Sequence, residues 1–257
     1  MANARTNPQA VREDVEQSLG ELGIAVLDAL VLQYVKPEED YAKVEAALKV
    51  AHELKAAGTV RHVATSTHSF DLACKLASSG LLDCIMLRYN MAHRTVEKDA
   101  FPTALACGVP VFSFTSTRWN TLQGGHKRWD GELPDIGDCI DFALAHPAVA
   151  HNISSIRTLE ELETATTTLA RLAELGEAEH AAALETWREY GTLVHDDQDN
   201  LVETDYVERI RDVYAAGNSE WNFDNMGTED DPTSENAVLG AAHGEREEGV
   251  GAEDAKL

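Results

Sequence analysis

The sequence predicts an α/β protein built on a parallel sheet, and three observations predict it. Short apolar runs alternate with segments of helical period, in the order of one helix followed by five strand–helix units. The stretch Cys84–Leu122 shows one unit in full: an apolar run Cys84–Leu87, a helix Val96–Ala106 closed by Gly108, and a second run Val109–Phe114. A helix of that length returns the chain to the same edge, so the two strands run parallel. The composition, 44% hydrophobic and 26% charged over 257 residues, is that of a globular chain able to bury a sizeable core. Polar segments Arg88–Arg94 and Thr115–Thr121 follow the two strands. In parallel α/β folds that end is where ligands bind.

In chain order, Met1–Asn7 is a loose lead-in and Pro8 stands where a helix can start. Ala10–Leu22 carries Val11, Val15, Leu19 and Leu22 at helical spacing, with Gly23 as the stop. Ile24–Val35 contains A-L-V-L-Q-Y-V, a run suited to a buried parallel strand and ended by Pro37. Tyr41–Ala57 reads as an amphipathic helix stopped by Gly58, Val60–Ser66 as a strand and Phe70–Ser78 as a helix. After the Cys84–Leu122 unit come a helix Pro134–Ala145, a strand Val149–Ile156, and a helix Leu159–Leu175 with Thr158 as its cap before Glu160 and Glu161. Glu177–Tyr190 and Glu203–Ala215 are expected to be further helices. From Gly217 the composition changes, and Thr228–Leu257 is acidic, rich in Gly and Ala, and too poor in apolar groups to offset its ordering entropy. The expected organisation is a main domain 1–175, a helical extension 176–216 and a disordered acidic tail 217–257.

Forty-five acidic against 21 basic residues give a net charge of −24, which disfavours nucleic acid and anionic membranes as partners and resembles adaptation to high salt. Cys74, Cys84, Cys107 and Cys139 have no C-x-x-C spacing and read as small buried hydrophobes in a reducing cytosol. No signal peptide or long apolar run stands out, so a soluble cytoplasmic protein is expected. His126, His146 and His151 lack the spacing of a metal site, and none is expected.

Several stretches resemble one known family. L-K-A-A-G-T-V-R-H-V-A-T-S-T at Leu54–Thr67 is similar to a segment of the aldo/keto reductases, as is S-L-G-E-L-G-I-A-V-L-D-A-L-V-L-Q-Y at Ser18–Tyr34. R-Y-N-M-A-H-R, F-T-S-T-R-W-N-T-L and D-C-I-D-F-A-L-A-H-P-A-V resemble a subgroup with R-Y-N-x-A-H-R and F-T-x-T-R-W motifs. The likeness runs from about Pro8 to Leu175. It implies the C-terminal portion of a (β/α)₈ barrel, strands four to eight with outer helices, and hydride transfer between NAD(P)H and a small carbonyl or alcohol. The family's motifs bearing Asp, Tyr and Lys have no counterpart in these residues. That chemistry needs them, because a phenol of pKa about 10 is a poor proton donor until a neighbouring cation lowers it.

The same resemblance implies a cofactor site for NADP or NAD. Gln33 stands at the family's His position and cannot titrate near neutral pH. Ser66 and Thr67 correspond to the pair that grips the nicotinamide amide, while Met86 replaces a Gln and loses its hydrogen bond. Phe114 corresponds to the aromatic that stacks on the nicotinamide, followed by Thr115 and Arg118. Ser154, Ser155 and Ile156 occupy the turn after the last strand, with Arg157 and Thr158 beyond. Glu161 stands where an Arg often sits and would repel a 2′-phosphate, with Arg157 and Arg118 as compensating cations; Ala165 replaces an Asn. Arg88, Arg94 and Trp119 are candidates for a substrate or anion loop, with structural pairing to carboxylates as the competing role. His93 reads as structural, and Tyr34 and Tyr89, with no lysine beside them, as core packing. Trp119 and Trp129 could line a substrate wall.

Two functions remain open: an oxidoreductase of this type completed by an N-terminal part, or a non-catalytic half-barrel serving as a binding module or persisting as a gene remnant. Five strands in an open sheet leave two edges, at Val26–Val35 and Val149–Ile156, so a homodimer through an edge is also expected.

Overall fold

The computed structural model describes residues 4–36 and 39–202. The helix expected at Glu203–Ala215 and the acidic tail lie outside the described residues. Helix α1 (Pro8–Leu22) starts where Asn7 accepts hydrogen bonds from the N–H groups of Gln9 and Ala10 and Pro8 fills the first turn. Gly23 closes it in the left-handed region, φ 66°. Strand β1 (Leu27–Leu32), α2 (Tyr41–Ala56), β2 (Val60–Ser66), α3 (Phe70–Ala77), β3 (Cys84–Arg88), α4 (Ala100–Cys107) and β4 (Val111–Phe114) alternate as expected. They are followed by α5 (Thr121–Gly124), α6 (Ile136–Leu144), β5 (Val149–Ile153), α7 (Leu159–Ala173) and α8 (Glu177–Asp196).

The five strands form one sheet in the order β1-β2-β3-β4-β5, every pair parallel. Such sequential order is what consecutive crossover units in one sector of a barrel wall produce. The register sorts the side chains into two faces. Val63, Ile85, Leu87 and Val111 pack with Leu48 of α2, Leu76 of α3, Phe101 of α4 and Phe142 of α6 in one core. On the opposite face the pairs Val31↔Ala64, Ser66↔Met86, Met86↔Phe112 and Phe114↔Ile153 align Val31, Ser66, Met86, Phe112, Phe114 and Ile153. Helix α8 adds Trp187, Tyr190 and Val194 to the core, and the Tyr190 hydroxyl donates to the Leu122 carbonyl at 2.7 Å.

The short helix α5 was not expected, and β4 begins at Val111 and β5 ends at Ile153, inside their expected bounds; three further differences have a visible cause. β1 ends at Leu32 rather than Val35 because Tyr34 turns the chain at φ 60°, its N–H donating to Ser66 Oγ at 2.7 Å. The helix expected from Val96 begins at Ala100, since Pro102 is tolerated only in a first turn; Thr95–Glu97 forms a short 3₁₀ turn instead. α8 continues past Tyr190 to Asp196, and Gly191 is the reason it lies close: a Cβ there would sit 2.0 Å from the Met91 carbonyl oxygen. No helix of the described residues is long and apolar enough to cross a membrane.

Candidate functional site

Ser66, Arg88, Phe114 and Ile153 are the last residues of β2, β3, β4 and β5, so parallel pairing brings all four to one end of the sheet. Ser66 Oγ accepts the Tyr34 N–H, and the Tyr34 ring meets His68 edge-on at 5.1 Å between centroids. His68 in turn meets Phe114 at 5.7 Å. The loops after β1, β2 and β4 therefore share one continuous surface. Lys36 Nζ stands 5.2 Å from the Tyr34 ring centroid and Arg5 at 5.9 Å, which corrects the expectation that Tyr34 has no lysine beside it. Lys36 and His68 were both missed in the sequence; the only signal was their proximity to the strand ends.

Thr67 is buried, and its Oγ1 accepts the Ser69 N–H at 3.2 Å, starting the turn into α3. The loop after β4 is held in an uncommon conformation. Thr115, Arg118, Trp119 and Asn120 all lie in the left-handed region, φ 48° to 61°, at a cost of about 1–2 kcal/mol for each residue. Backbone strain of this kind persists where surrounding structure over-determines it, and it gathers at ligand sites. Here the brace is Asn90, fully buried, whose Nδ2 donates to the Thr115 carbonyl at 2.9 Å. Asn90 Oδ1 accepts the N–H groups of Ala92 and His93 as well, tying the loop after β3 to the loop after β4.

Between β4 and β5 runs a chain of hydroxyls and amides. Ser116 Oγ and Ser154 Oγ are 2.7 Å apart, Ser154 Oγ donates to Asn152 Oδ1 at 2.6 Å, and Asn152 Nδ2 donates to Ser113 Oγ at 2.8 Å. Ser116 and Asn152 had no place in the sequence reading, whereas Ser155 is exposed in the turn beyond. Thr158 caps α7, its Oγ1 accepting the Glu161 N–H at 3.1 Å. Arg157 is ion-paired with Glu161, and its N–H donates to Glu161 Oε2 at 2.7 Å. Burial raises the Glu161 carboxyl, but the Arg157 guanidinium and N–H outweigh it and hold it below the usual range.

The arginines do not make one basic rim. Arg88 is buried at the end of β3. Buried Arg118 donates from Nη2 to Gln198 Oε1 at 3.2 Å, and Arg94 donates from Nη2 to Thr192 Oγ1 on α8 at 2.7 Å. His93 is buried in the Asn90 turn. Tyr89 is fully buried, donates to Glu97 Oε1 at 2.5 Å, and has its phenol pushed far up by burial and by Glu97. Trp119 is half-buried, while Trp129 packs at 5.2 Å from Tyr190 and donates to the Glu132 carbonyl. Gln33, at the end of exposed edge strand β1, faces solvent.

The model of the aldo/keto reductase family matches residues 1–131, just over half of the chain. The chain belongs to the aldo/keto reductase family. A curated relative, the NADH-specific methylglyoxal reductase of Escherichia coli (strain K12), is 25% identical over 118 residues, 46% of this chain and 36% of that protein. This aldo/keto reductase chain thus spans about a third of that relative's length. Among solved structures, the aldo-keto reductase AKR11C1 from Bacillus halodurans matches in its holo form with a TM-score of 0.57 and 18% identity, over 71% of this chain and 68% of that one. Its apo form matches at a TM-score of 0.55 and 18% identity, over 69% and 67%. At that identity the structures speak for the fold, and they support the α/β architecture described above.

Proposed function

We propose that this aldo/keto reductase chain carries the dinucleotide cradle of a nicotinamide-dependent oxidoreductase acting on a small carbonyl compound, and that it favours NADH over NADPH. The observation that carries the reading is the single surface formed by Tyr34, Ser66, His68 and Phe114 at the ligand end of the sheet. The residues fit the group. Phe114 offers an aromatic face for stacking and Ser66 a hydroxyl for an amide, and the strained loop of Thr115–Asn120 runs beside them, braced from within by the buried Ser116 hydroxyl bonded to Ser154. When bound, the nicotinamide would supply the hydride; the chain's own residues bind, orient and exclude water.

The cofactor preference follows from the turn after β5. Arg157, the cation that a 2′-phosphate would need, is already paired with Glu161, and Glu160 adds a further carboxylate in the first turn of α7. Buried Arg118 donates to Gln198. A 2′-hydroxyl meets no repulsion there, whereas a 2′-phosphate does. That the relative from Escherichia coli is named NADH-specific supports the same direction.

A second reading, a binding module without turnover, is favoured by Gln33. It is exposed, cannot titrate near neutral pH, and stands where the family has His. The four thiols are free, in keeping with a reducing cytoplasm. We extend the proposal to self-association through β1 or β5, each paired on one side only among the described residues. A monodisperse monomer in sedimentation at micromolar concentration would remove it.

Fluorescence titration tests the main reading. The chain is expected to bind NADH more tightly than NADPH, and Glu161→Arg to reverse or abolish the preference. Equal affinity for both in wild type and variant would defeat the cofactor assignment. Consumption of NADH with methylglyoxal separates the two functions: turnover supports the oxidoreductase, and binding without turnover the module.

A further inference from the structure

A cleft of about 470 Å³ lies between the loop after β3 and α8, lined by Ala92, Arg94, Thr95, Glu97, Lys98, Arg188, Thr192 and His195. Three of the 21 Lys and Arg residues of a chain with net charge −24 line this one cleft, against a single carboxylate. That carboxylate is already committed. Glu97 accepts the Tyr89 hydroxyl at 2.5 Å and pairs with both terminal nitrogens of Arg188, at 3.2 and 3.3 Å. Arg188 is fixed on its other side over the Phe142 ring, 5.5 Å from the centroid, and Glu185 adds to its negative surroundings. Arg188 and Glu97 therefore cancel, leaving the charges of Arg94 and Lys98.

Arg94 is pinned by a neutral partner. Its Nη2 donates to Thr192 Oγ1, and Thr192 Oγ1 donates onward to the Arg188 carbonyl at 2.8 Å, so the guanidinium is held without being neutralised. The Lys98 ammonium makes no hydrogen bond or ion pair among the described residues, and only the Lys98 N–H is bonded, to the Thr95 carbonyl at 3.1 Å. The walls are closely packed where they meet: Gly191 lies against the Met91 backbone, next to Thr192. Two uncompensated cations, one a planar fork and the other a point charge, suit a dianionic oxyanion. The volume falls in the range of small-molecule sites and exceeds what bare phosphate fills.

We propose that this cleft is a binding site for the phosphate group of a small phosphate monoester, separate from the dinucleotide cradle. Inorganic phosphate is the probe. Binding to the full chain would be followed by phosphorus NMR line width and by the thermal unfolding midpoint, at low ionic strength, with chloride at matched ionic strength as control. Phosphate is expected to raise the midpoint and acetate to act more weakly. Lys98→Gln and Arg94→Gln are each expected to weaken phosphate binding about tenfold, the loss of one charge-assisted contact. Lys98→Gln removes no contact of the fold, so it stays informative if Arg94→Gln loosens α8. No phosphate-specific shift in the wild type, or binding undiminished in Lys98→Gln, would overturn the proposal.

Discussion

The two faces of the sheet are made by neighbouring residues and do different work. Ile85 and Leu87 of β3 point to the helices and are buried among them, while Met86 and Arg88, one residue along, align with Ser66 and Phe114 on the other face. The helix face holds the fold. The opposite face carries Val31, Met86, Phe112 and Phe114 half-buried and Ile153 exposed at 47%. Alternation along a strand thus separates stability from binding within a single residue step.

Substitution should expose that separation. Ile85→Ala is expected to cost about 2–5 kcal/mol in denaturant unfolding. Met86→Ala, half-buried on the other face, is expected to cost less than half as much. Equal losses would mean that the two faces are not distinct. Next in size is Gly191→Ala, which places a methyl against the Met91 carbonyl at 2.0 Å and should cost about 1–3 kcal/mol while displacing α8. Tyr190→Phe should cost about 1 kcal/mol, since the buried Leu122 carbonyl loses its donor. Phe114→Ala should change stability little and weaken NADH binding by about 0.5–1.5 kcal/mol through loss of the stacking ring.

The smallest expected effect is electrostatic. Desolvation raises the Asp83 carboxyl, but the Lys55 ammonium, at 2.6 and 2.7 Å, and the Val63 N–H outweigh it and leave it below its ordinary 3.8. A carboxyl depressed in the folded state stabilises above its unfolded value, and the benefit is lost as pH falls through the folded one. Acid unfolding below about pH 4 should therefore be less steep in Asp83→Asn, as followed by circular dichroism. An unchanged acid limb would show that the pair contributes nothing.

Much of the helix face was legible in the sequence because its signals are local. Gly23 and Gly108 mark helix ends by taking φ values of 66° and 67°, and the strand Val60–Ser66 has the bounds its apolar run predicts. Ser66 and Phe114 were legible as a pair through family likeness alone. What joins them was not, since His68 acts through contacts with Tyr34 and Phe114, which lie beside strands far apart in the chain. Tyr34 at φ 60° could not be foreseen either, because an aromatic residue gives no sign of the left-handed region. The α8 cleft stayed hidden for the same reason: Glu97 and Arg188, or Arg94 and Thr192, are brought together only by the close approach that Gly191 permits.

The central claim is that a dinucleotide lies on the face opposite the helices, at the ends of β2, β4 and β5. The most direct test is a map of amide chemical-shift changes in the full chain as NADH is added. Changes gathered at Ser66, Thr67, Phe114, Thr115 and Ser154, with the helix-face residues Val63, Ile85 and Val111 unmoved, are the predicted result. Changes confined to the helix side, or scattered without regard to the strand ends, would contradict it.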